Sequence, residues 1–543
     1  MRKHFYIVST VALLILLLLS TLWPLFTWLF LVVLFLTLLG YYDIFQTRHT
    51  LWRNFPVIAH IRWLLEGMRV PIQQYFVESD TGGAPTNRMF RSVVYQRAKR
   101  ELDTLPLGTR VDVYRTGYEW MDHSLGATPT AENHALPRIM IGGPECTQPY
   151  SSSLLNISAM SFGALSSNAI EALNRGAQAG QFAHNTGEGS ISPAHRRGHG
   201  ALIWQIGTGY FGCRDNNGRF SPEKFQEHVQ DDPVKMIEIK LSQGAKPGHG
   251  GILPAEKNTP EIAAIRGLRA FERVDSPATH TAFSNPIEMM HFIQQLRELA
   301  RGKPVGIKLC LGRRSEFVGL CKAMVLTGVK PDFITVDGGE GGTGAAPLEF
   351  SNSVGFPLRE GLAFIADCLT GFGLRNDIRI IASGKILTGF HIIKNLALGA
   401  DICQSARGMM MALGCIQALQ CNKNTCPTGI ATQDPELSKS LNIEDKAQRV
   451  ANYHAETLKS VQELLAAAGI QHLEALNRSH IHRRISATTI ARYDEIYPYV
   501  EKGSMLAPPY PERYRMALSE GSAEYFVSKT PTVQVEDALK QTS

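Results

Sequence analysis

The sequence predicts an α/β protein: a (β/α)8 barrel of the TIM type, preceded by a two-helix transmembrane hairpin. Two observations support this fold class. A long uncharged stretch opens the chain, and eight short apolar runs bounded by Gly, Ser or Asn alternate with helix-sized connections further on. We divide the chain into a hairpin (1–45), a membrane-proximal segment (46–150), the barrel (151–437) and a C-terminal helical extension (438–543).

The composition is typical of a globular protein that binds no nucleic acid. Apolar residues make up 44% of the chain and charged residues 19%, and the formal net charge of +6 is not gathered into basic runs. Nine cysteines scattered over so long a chain do not resemble a disulfide framework. Thiols kept for a metal cluster indicate a reducing compartment, so we expect the main body to be cytoplasmic.

The hairpin prediction rests on residues 5–42, which contain no charged side chain. One helix of that length would measure about 57 Å, against about 30 Å for a hydrocarbon core, so two passes fit better. Pro24 lies near the middle, where it can end one helix and open a turn. Basic residues flank both ends, which predicts an inner-membrane protein with its main body in the cytoplasm. A signal peptide, the alternative, would have a shorter apolar core.

Two segments flank the barrel. Residues 46–150 begin with mixed aromatic and basic residues, which predicts short amphipathic helices at the membrane face or, equally, a cap on the next domain. Residues 442–469 carry apolar positions at helical spacing and end at Gly469, which predicts a helix packed behind the barrel. The last forty or so residues are Pro-rich and then polar, as expected of a frayed tail.

The predicted barrel strands are eight apolar runs with helix-sized connections. Functional groups in such a barrel lie just after the strand ends. A doubly wound open sheet is the alternative fold. The runs cover 154–161, 182–187, 202–207, 236–242, 305–310, 332–338, 378–384 and 400–406.

Three cysteines follow the eighth run at the spacing C-x5-C-x4-C: Cys415, Cys421 and Cys426. Three thiolates so close together can converge on one soft metal centre. A zinc site would need a fourth nearby ligand, and no His lies between Met411 and Glu436. Three sulfurs therefore suit a three-iron cluster, and three buried structural cysteines are the other interpretation.

Glycine-rich segments follow the sixth and seventh runs, at 337–347 and 383–389. Glycines let backbone N–H groups approach an anion, and this part of a barrel is the usual phosphate site. Tight turns would explain the glycines equally well. Lys308 interrupts the fifth run, so its ammonium must meet an anion, an electron-rich ring or a salt-bridge partner.

Four further polar residues follow other strand ends. Glu188 lies in a glycine-flanked loop after the second run, Gln243 and Lys246 follow the fourth, and Arg266 comes later. An amide, an ammonium and a guanidinium at one site could hold a dicarboxylate, and Glu188 could handle a proton. Solvated surface charge is the alternative.

Several of these segments resemble the FMN-binding synthase domain of glutamate synthases, in its short form with an N-terminal membrane hairpin. The resemblance spans roughly residues 145–440, and its motifs occur in the family's order. They read SAMSFGALS, NTGEGS, SQGAKPGHGGILP, DGGEGGTGA and GCIQALQCNKNTCPTGIATQ.

This resemblance implies a barrel that binds FMN beside a 3Fe-4S cluster, and reduction of 2-iminoglutarate to L-glutamate. It implies cluster ligands at the three loop cysteines and 2-oxoglutarate contacts from Gln243, Lys246 and Arg266. Glu188 matches a glutamate near the point where ammonia arrives, and Lys308 would face the electron-rich edge of the flavin. The remaining implied flavin contacts are Ser161, Gly338, Gly339, Gly341, Gly342, Ser383 and Gly384.

The chain also departs from the family pattern. It begins with the hairpin instead of a glutaminase domain, so ammonia would come from solution or from a separate glutaminase subunit. No dinucleotide domain is recognisable, which leaves a ferredoxin, an NAD(P)H-oxidising partner or a quinone as electron donor. The family's PGEGGQ reads PGHGGI here, which places His249 and Ile252 near the substrate.

Three other functions remain open at this stage. The first keeps the flavin and cluster but acts on a different substrate, or exchanges electrons with a quinone. The second is a redox sensor or scaffold without turnover. The third is a barrel like that of inosine monophosphate dehydrogenase, which does not need three closely spaced cysteines.

Overall fold

The computed structural model describes residues 1–101, 104–128 and 136–527. The chain divides into two compact units, Met1–Arg88 and the part that begins at Met89. Residues 528–543, in the expected tail, lie outside the described residues.

The first unit opens with two apolar helices, Arg2–Ser20 and Pro24–Phe45. Pro24 occupies the first turn of the second helix, where its missing N–H is not needed. Both helices are long and apolar enough to cross a membrane. The helices approach closely at Gly40, where a Cβ would lie 2.0 Å from the ring of Phe5. Short helices follow at Thr50–Asn54, His60–Gly67, Arg69–Ile72 and Gln73–Val77.

Eight parallel strands form a closed barrel in the second unit, and each lies within one of the eight predicted runs or overlaps it. The prediction of a (β/α)8 barrel is confirmed, and the doubly wound alternative is wrong. The strands are β1 Leu155–Ile157, β2 His184–Asn185, β3 Leu202–Ile206, β4 Val234–Lys240, β5 Val305–Leu309, β6 Phe333–Asp337, β7 Arg379–Ser383 and β8 Ile402–Ser405.

The barrel closes between its first and last strands. Cys403 of β8 pairs with Leu155 of β1, and Gln404 pairs with Asn156. The pairing removes both edges of the sheet, so no strand of the barrel is left with unpaired backbone on one side. All eight strands are parallel, and their carboxyl ends form one face, which we call the barrel mouth.

Helices connect successive strands and cover the barrel from outside. Several begin at a Ser, Thr or Asn whose side chain accepts from the first turn, such as Ser166, Thr259 and Asn285. The connecting helices are Ser167–Gly180, Pro193–Arg197, Pro222–Val229, Pro260–Arg266, Pro286–Leu299, Arg314–Thr327, Leu348–Ser353, Leu358–Gly371 and Gly389–Ala397.

A small apolar cluster fills the end of the barrel opposite the mouth. It contains Ile203, Met236, Phe333, Ile381 and Ile402, all fully buried. Because strand side chains alternate, the residues two positions further along each strand also point inward, closer to the mouth. Those positions are polar, which places the polar side chains of the barrel interior on the side of the mouth.

The C-terminal part begins with helices Arg407–Leu413 and Pro435–Ser438 and continues into the long helix Ile443–Ala467. The long helix agrees with the predicted one and packs against Ser167–Gly180, where a Cβ on Gly176 would lie 2.8 Å from Val450. Helix Arg88–Lys99 precedes the barrel, and helices Tyr493–Ile496 and Arg515–Glu520 end the described chain. Short antiparallel strands pair outside the barrel at Glu119–Met121, Ile139–Ile141, Tyr150–Ser152, Ile252–Leu253, Val274–Asp275, Ile481–Arg484 and Ile490–Arg492.

Candidate active site at the barrel mouth

Two buried lysines lie side by side at the mouth. Lys308 of β5 pairs in register with Lys240 of β4. Lys240 Nζ lies 3.0 Å from Glu188 Oε2, and Lys308 Nζ lies 3.5 Å from Asp337 Oδ2. Lys308 was predicted from the sequence and Lys240 was not, although Lys240 interrupts its apolar strand in the same way.

Glu188 lies in a tight pocket made by glycines. A Cβ on Gly251 would lie 2.1 Å from Glu188 Oε1, and one on Gly207 would lie 2.9 Å from its Cβ. Burial acts to raise the pKa of the Glu188 carboxyl, but Lys240 and the nearby Arg266 and Lys246 outweigh it and lower the pKa. Glu188 is therefore ionised at neutral pH.

Lys246 and Arg266 are buried cations whose partners are backbone carbonyls. Lys246 Nζ donates to Ala345 O at 3.0 Å, and Arg266 Nη2 donates to Phe162 O at 2.7 Å. Burial is the main cause that lowers the pKa of Lys246 to about 8 and that of Arg266 to about 10, with Glu188 opposing both shifts. Among the residues that the structure describes, no group pairs with Arg266 Nε.

The formal charges of this cluster do not cancel. Lys240, Lys246 and Arg266 carry three positive charges against the single negative charge of Glu188, which leaves an excess of two within one buried region. Uncompensated buried charge is unfavourable, so such an excess indicates a place for an anion.

Gln243 and Ser161 lie at the edge of the same region. Gln243 Nε2 donates to Thr343 Oγ1 at 3.3 Å, which brings the loop after β4 against the glycine-rich loop after β6. Ser161 follows β1, and a Cβ on Gly187 would lie 2.7 Å from the backbone nitrogen of Ser161. The structure thus brings Glu188, Gln243, Lys246, Arg266 and Ser161 to one end of the barrel.

A buried carboxylate lies inside the barrel below these groups. Glu238 Oε1 accepts from Asn185 Nδ2 at 2.8 Å and from Gln205 Nε2 at 2.6 Å, and Glu238 Oε2 accepts from Thr335 Oγ1 at 2.6 Å. Asn185 Oδ1 in turn accepts from the amide of Gly187 at 3.0 Å. Glu238 thus supports the loop that carries Glu188. This residue was not predicted from the sequence, although the charged residues Lys235, Glu238 and Lys240 visibly interrupt the apolar run VKMIEIK.

The two glycine-rich loops meet, as expected from their adjacent strands. Gly338 N donates to Ser383 O at 2.8 Å, and a Cβ on Gly384 would lie 3.4 Å from Gly338 N. Gly339 N donates to Phe356 O and Gly341 N to Gly338 O, so these amides already have protein partners. A phosphate here would depend on further donors.

Two cations that the sequence analysis missed lie beside these loops. Arg407, the first residue after β8 and Ala406, donates to Glu340 O, and a Cβ on Gly342 would lie 3.2 Å from its Nε. Burial lowers the pKa of Arg407, with Asp337 and Glu340 opposing. Burial and Arg407 both lower the pKa of Lys385. A basic residue directly after the last strand is a signal that could have been used.

The cysteine loop begins where helix Arg407–Leu413 ends at Gly414. Gln417 N donates to Cys415 Sγ at 3.5 Å, and Cys426 Sγ lies 3.4 Å from Thr428 Oγ1. Lys257 Nζ donates to the backbone oxygen of Cys421 at 2.8 Å. Two of the three sulfurs thus have a hydrogen-bond partner within the loop, and the Lys257 ammonium lies beside its backbone.

The pKa values of the three thiols are shifted in different directions. Burial raises the pKa of Cys415 to about 11 and also raises that of Cys421. Burial acts to raise the pKa of Cys426 as well, but hydrogen bonds from Thr428 and from backbone amides lower it. Across the described ranges, no three His, Cys, Asp or Glu side chains are arranged to hold a metal ion. The sulfur chemistry fits a cluster, whereas the arrangement is not closed around one.

Comparison with known proteins gives consistent matches. The family model described as the conserved region in glutamate synthase matches residues 138–471. The glutamate synthase large subunit-like protein YerD of Bacillus subtilis is 37% identical over 490 residues, which covers 83% of this chain and 93% of that protein. An archaeal glutamate synthase [NADPH] of Methanocaldococcus jannaschii is 37% identical, covering 59% of this chain and 60% of that one. The large chain of Bacillus subtilis glutamate synthase [NADPH] is 32% identical over 58% of this chain and 20% of its own length.

Proposed function

Since the chain belongs to the glutamate synthase family of oxidoreductases, we propose that it reduces 2-iminoglutarate to L-glutamate. In this reaction 2-oxoglutarate and ammonia condense with loss of water, and the imine then takes up a hydride and a proton. The family match and the retained site residues support the proposal. The buried excess of two positive charges beside Glu188 is the observation that carries it, because 2-oxoglutarate is a dianion.

Each substrate carboxylate would form an ion pair with one of the buried cations at the barrel mouth. Lys246 and Arg266 donate to carbonyl oxygens here, and a carboxylate is a stronger acceptor than a carbonyl. Gln243 can add a neutral donor at the exposed edge. Burial of both cations excludes water and strengthens their attraction for the substrate.

Glu188 would bind the ammonium ion and accept a proton from it. Its lowered pKa keeps it a carboxylate at neutral pH, so it can hold an ammonium ion and accept a proton as ammonia attacks the substrate carbonyl. Lys240, 3.0 Å away, keeps that carboxylate in place.

The hydride would come from FMN, which supplies two-electron chemistry when bound. Lys308 fits an electron-rich ring because its partner Asp337 lies at 3.5 Å, longer than an ordinary charged hydrogen bond. We assign the flavin contacts to Ser161, Ser383, Gly384, Gly338, Gly339, Gly341 and Gly342. Arg407 and Lys385 supply the positive charge that a phosphate would need beside the glycine loops.

Cys415, Cys421 and Cys426 are proposed as the ligands of a 3Fe-4S cluster. Sulfurs in contact with N–H and hydroxyl donors are suited to thiolate ligation. The electron donor would be a ferredoxin, an NAD(P)H-oxidising partner or a quinone. Ammonia would come from solution or from a separate glutaminase subunit.

The two apolar helices support a location in the inner membrane, with the barrel in the cytoplasm. We retain the proposed division into a hairpin (1–45), a membrane-proximal segment (46–150), an FMN-binding barrel (151–437) and a C-terminal extension (438–543).

A second candidate function keeps the cofactors and changes the substrate or the electron partner. Its motivation is the departure at His249 and Ile252. His249 packs edge-on against Phe350 with the ring centroids 5.3 Å apart, and Ile252 lies in the short strand Ile252–Leu253. An imidazole and an aliphatic side chain thus stand where the family carries an acid and an amide.

An anaerobic half-reaction tests the first proposal. The purified full chain is reduced chemically, and flavin absorbance and glutamate are followed after 2-oxoglutarate and ammonium are added. The expected result is flavin reoxidation with stoichiometric glutamate. Reduced flavin that persists in the presence of both substrates would overturn the assignment in favour of the second candidate.

A further inference from the structure

The segment that follows the two apolar helices presents an uncovered apolar surface. No residue of helix His60–Gly67 is buried, and Ile61, Leu64 and Leu65 are exposed by 55%, 63% and 55%. Ile58 and Met68 are also exposed. We call residues 48–72 the basic foot. So many adjacent apolar side chains in water would be unfavourable, which indicates that something covers them.

Specific contacts hold the basic foot against the apolar helices. The fully buried Asp43, in the last turn of the second helix, accepts from Val57 N at 2.8 Å and lies 2.8 Å from His60 Nε2. Trp52 stacks on His60 with ring centroids 4.2 Å apart. Arg2, at the start of the first helix, donates to Asn54 Oδ1 at 3.1 Å. The foot is therefore fixed to the end of the helix pair that carries Arg2 and Asp43.

The foot is also positively charged. It contains Arg48, Arg53, Arg62 and Arg69 against a single acid, Glu66, which lies 3.8 Å from Arg69. Trp52 and Trp63 add the aromatic side chains that are enriched where a membrane meets water. Apolar, aromatic and basic side chains together are the composition of helices that lie in the headgroup layer.

We propose that the basic foot lies in the headgroup layer of an anionic lipid leaflet. Its apolar side chains enter the boundary with the acyl chains, and its arginines contact lipid phosphates. This inference rests on the proposed insertion of the two apolar helices, and it is independent of the reaction. Continuity with those helices and the excess of arginine favour anionic lipid over a second copy of the chain.

Hydrogen exchange of the full chain in lipid nanodiscs tests this inference. Backbone exchange over residues 58–70 is compared between phosphatidylcholine discs and discs rich in phosphatidylglycerol. We expect exchange to be roughly tenfold slower in the anionic discs, with the difference shrinking at high salt. The variant carrying Arg62→Gln and Arg69→Gln should lose that difference, whereas the control Arg515→Gln, at an exposed site outside the foot, should keep it.

Three results would overturn the inference. Equal exchange in the two kinds of disc would remove the role of anionic lipid. Protection that depends on protein concentration in detergent would assign the surface to a second copy. Failure of the full chain to enter discs would remove its premise. The glutamate half-reaction in detergent is measured separately, so each of these failures is distinguishable from a failure of the proposed reaction.

Discussion

The barrel mouth and the cysteine loop place their reactive groups in different ways. At the mouth, Glu188, Lys240 and Lys308 stand on or directly after strands, and each has a charged partner within 3.5 Å. In the loop, Cys415 and Cys421 are only half-buried, and the sulfurs of Cys415 and Cys426 contact the neighbouring loop residues Gln417 and Thr428. The sheet holds the first site, whereas the second site depends on a loop.

This difference suggests what each site needs from its ligand. The charged groups at the mouth are held by the barrel strands and their loops, so we expect a substrate to bind there without rearrangement of the barrel. Sulfurs in the loop are not arranged around a metal, so we expect a cluster to complete their arrangement and to stabilise the loop when it binds.

The largest effect should follow substitution at the mouth. Arg266→Leu should lower kcat/KM for 2-oxoglutarate by about 100- to 1000-fold, because it removes a buried charge that we propose as a partner of the substrate. Since burial lowers the pKa of Arg266, its charge is unfavourable in the folded protein, and the free energy of unfolding should hold or rise. Steady-state kinetics and chemical unfolding measure the two quantities. The exposed Arg269→Leu is the control, and a parallel loss of activity and stability in Arg266→Leu would contradict a substrate-binding role.

In the loop, stability and cofactor content should change together. Cys421→Ser should abolish the iron–sulfur absorbance, retain flavin and lower Tm by about 2–4 °C. Cys146→Ser, at a half-buried thiol outside the loop, is the matched control. If Cys421→Ser kept the cluster absorbance, the assignment of the ligands would be wrong.

The pKa of Lys246 predicts a pH dependence of substrate binding at the barrel mouth. With a value of about 8, Lys246 loses its proton as pH rises above 8, so the Kd of 2-oxoglutarate should increase about tenfold per pH unit beyond it. Binding is read from the flavin spectrum without ammonia. Lys246→Arg should remain charged and show a flat profile, and Lys246→Met should bind weakly at every pH. A wild-type profile that stays flat to pH 10 would exclude a role for this ammonium.

The smallest effect is expected below the mouth. Glu238→Gln keeps an acceptor for Asn185 and Gln205 but loses the charge, so the free energy of unfolding should fall by about 1–3 kcal/mol. Because Asn185 supports the Glu188 loop, KM for ammonium should rise a few-fold. The exposed Glu227→Gln serves as control, and an unchanged KM with reduced stability would show that Glu238 has no influence on Glu188.

The sequence was sufficient for the strands because their signals are local. Short apolar β-branched runs such as IRIIAS, ended by glycine, favour a buried strand, and Pro24 marks the turn between the apolar helices. Lys240 and Arg407 carried similar local signals and were missed.

Other features depend on contacts between distant parts of the chain. Lys246 donates to the backbone oxygen of Ala345, 99 residues away, and Lys257 donates to that of Cys421, 164 residues away. No spacing rule predicts such pairs, because they result from the packing of whole loops after the barrel has formed. The three loop cysteines, by contrast, are close in sequence, and their role as ligands stays a prediction.

The pairing of β8 with β1 has a consequence for how the protein is made. Cys403 pairs with Leu155, about 250 residues earlier in the sequence. The sheet therefore cannot close until nearly all of the barrel has left the ribosome. The cysteine loop follows directly after that last strand. We therefore expect the proposed cluster to be assembled late in biogenesis, after translation of the final strand and after the two apolar helices have been synthesised.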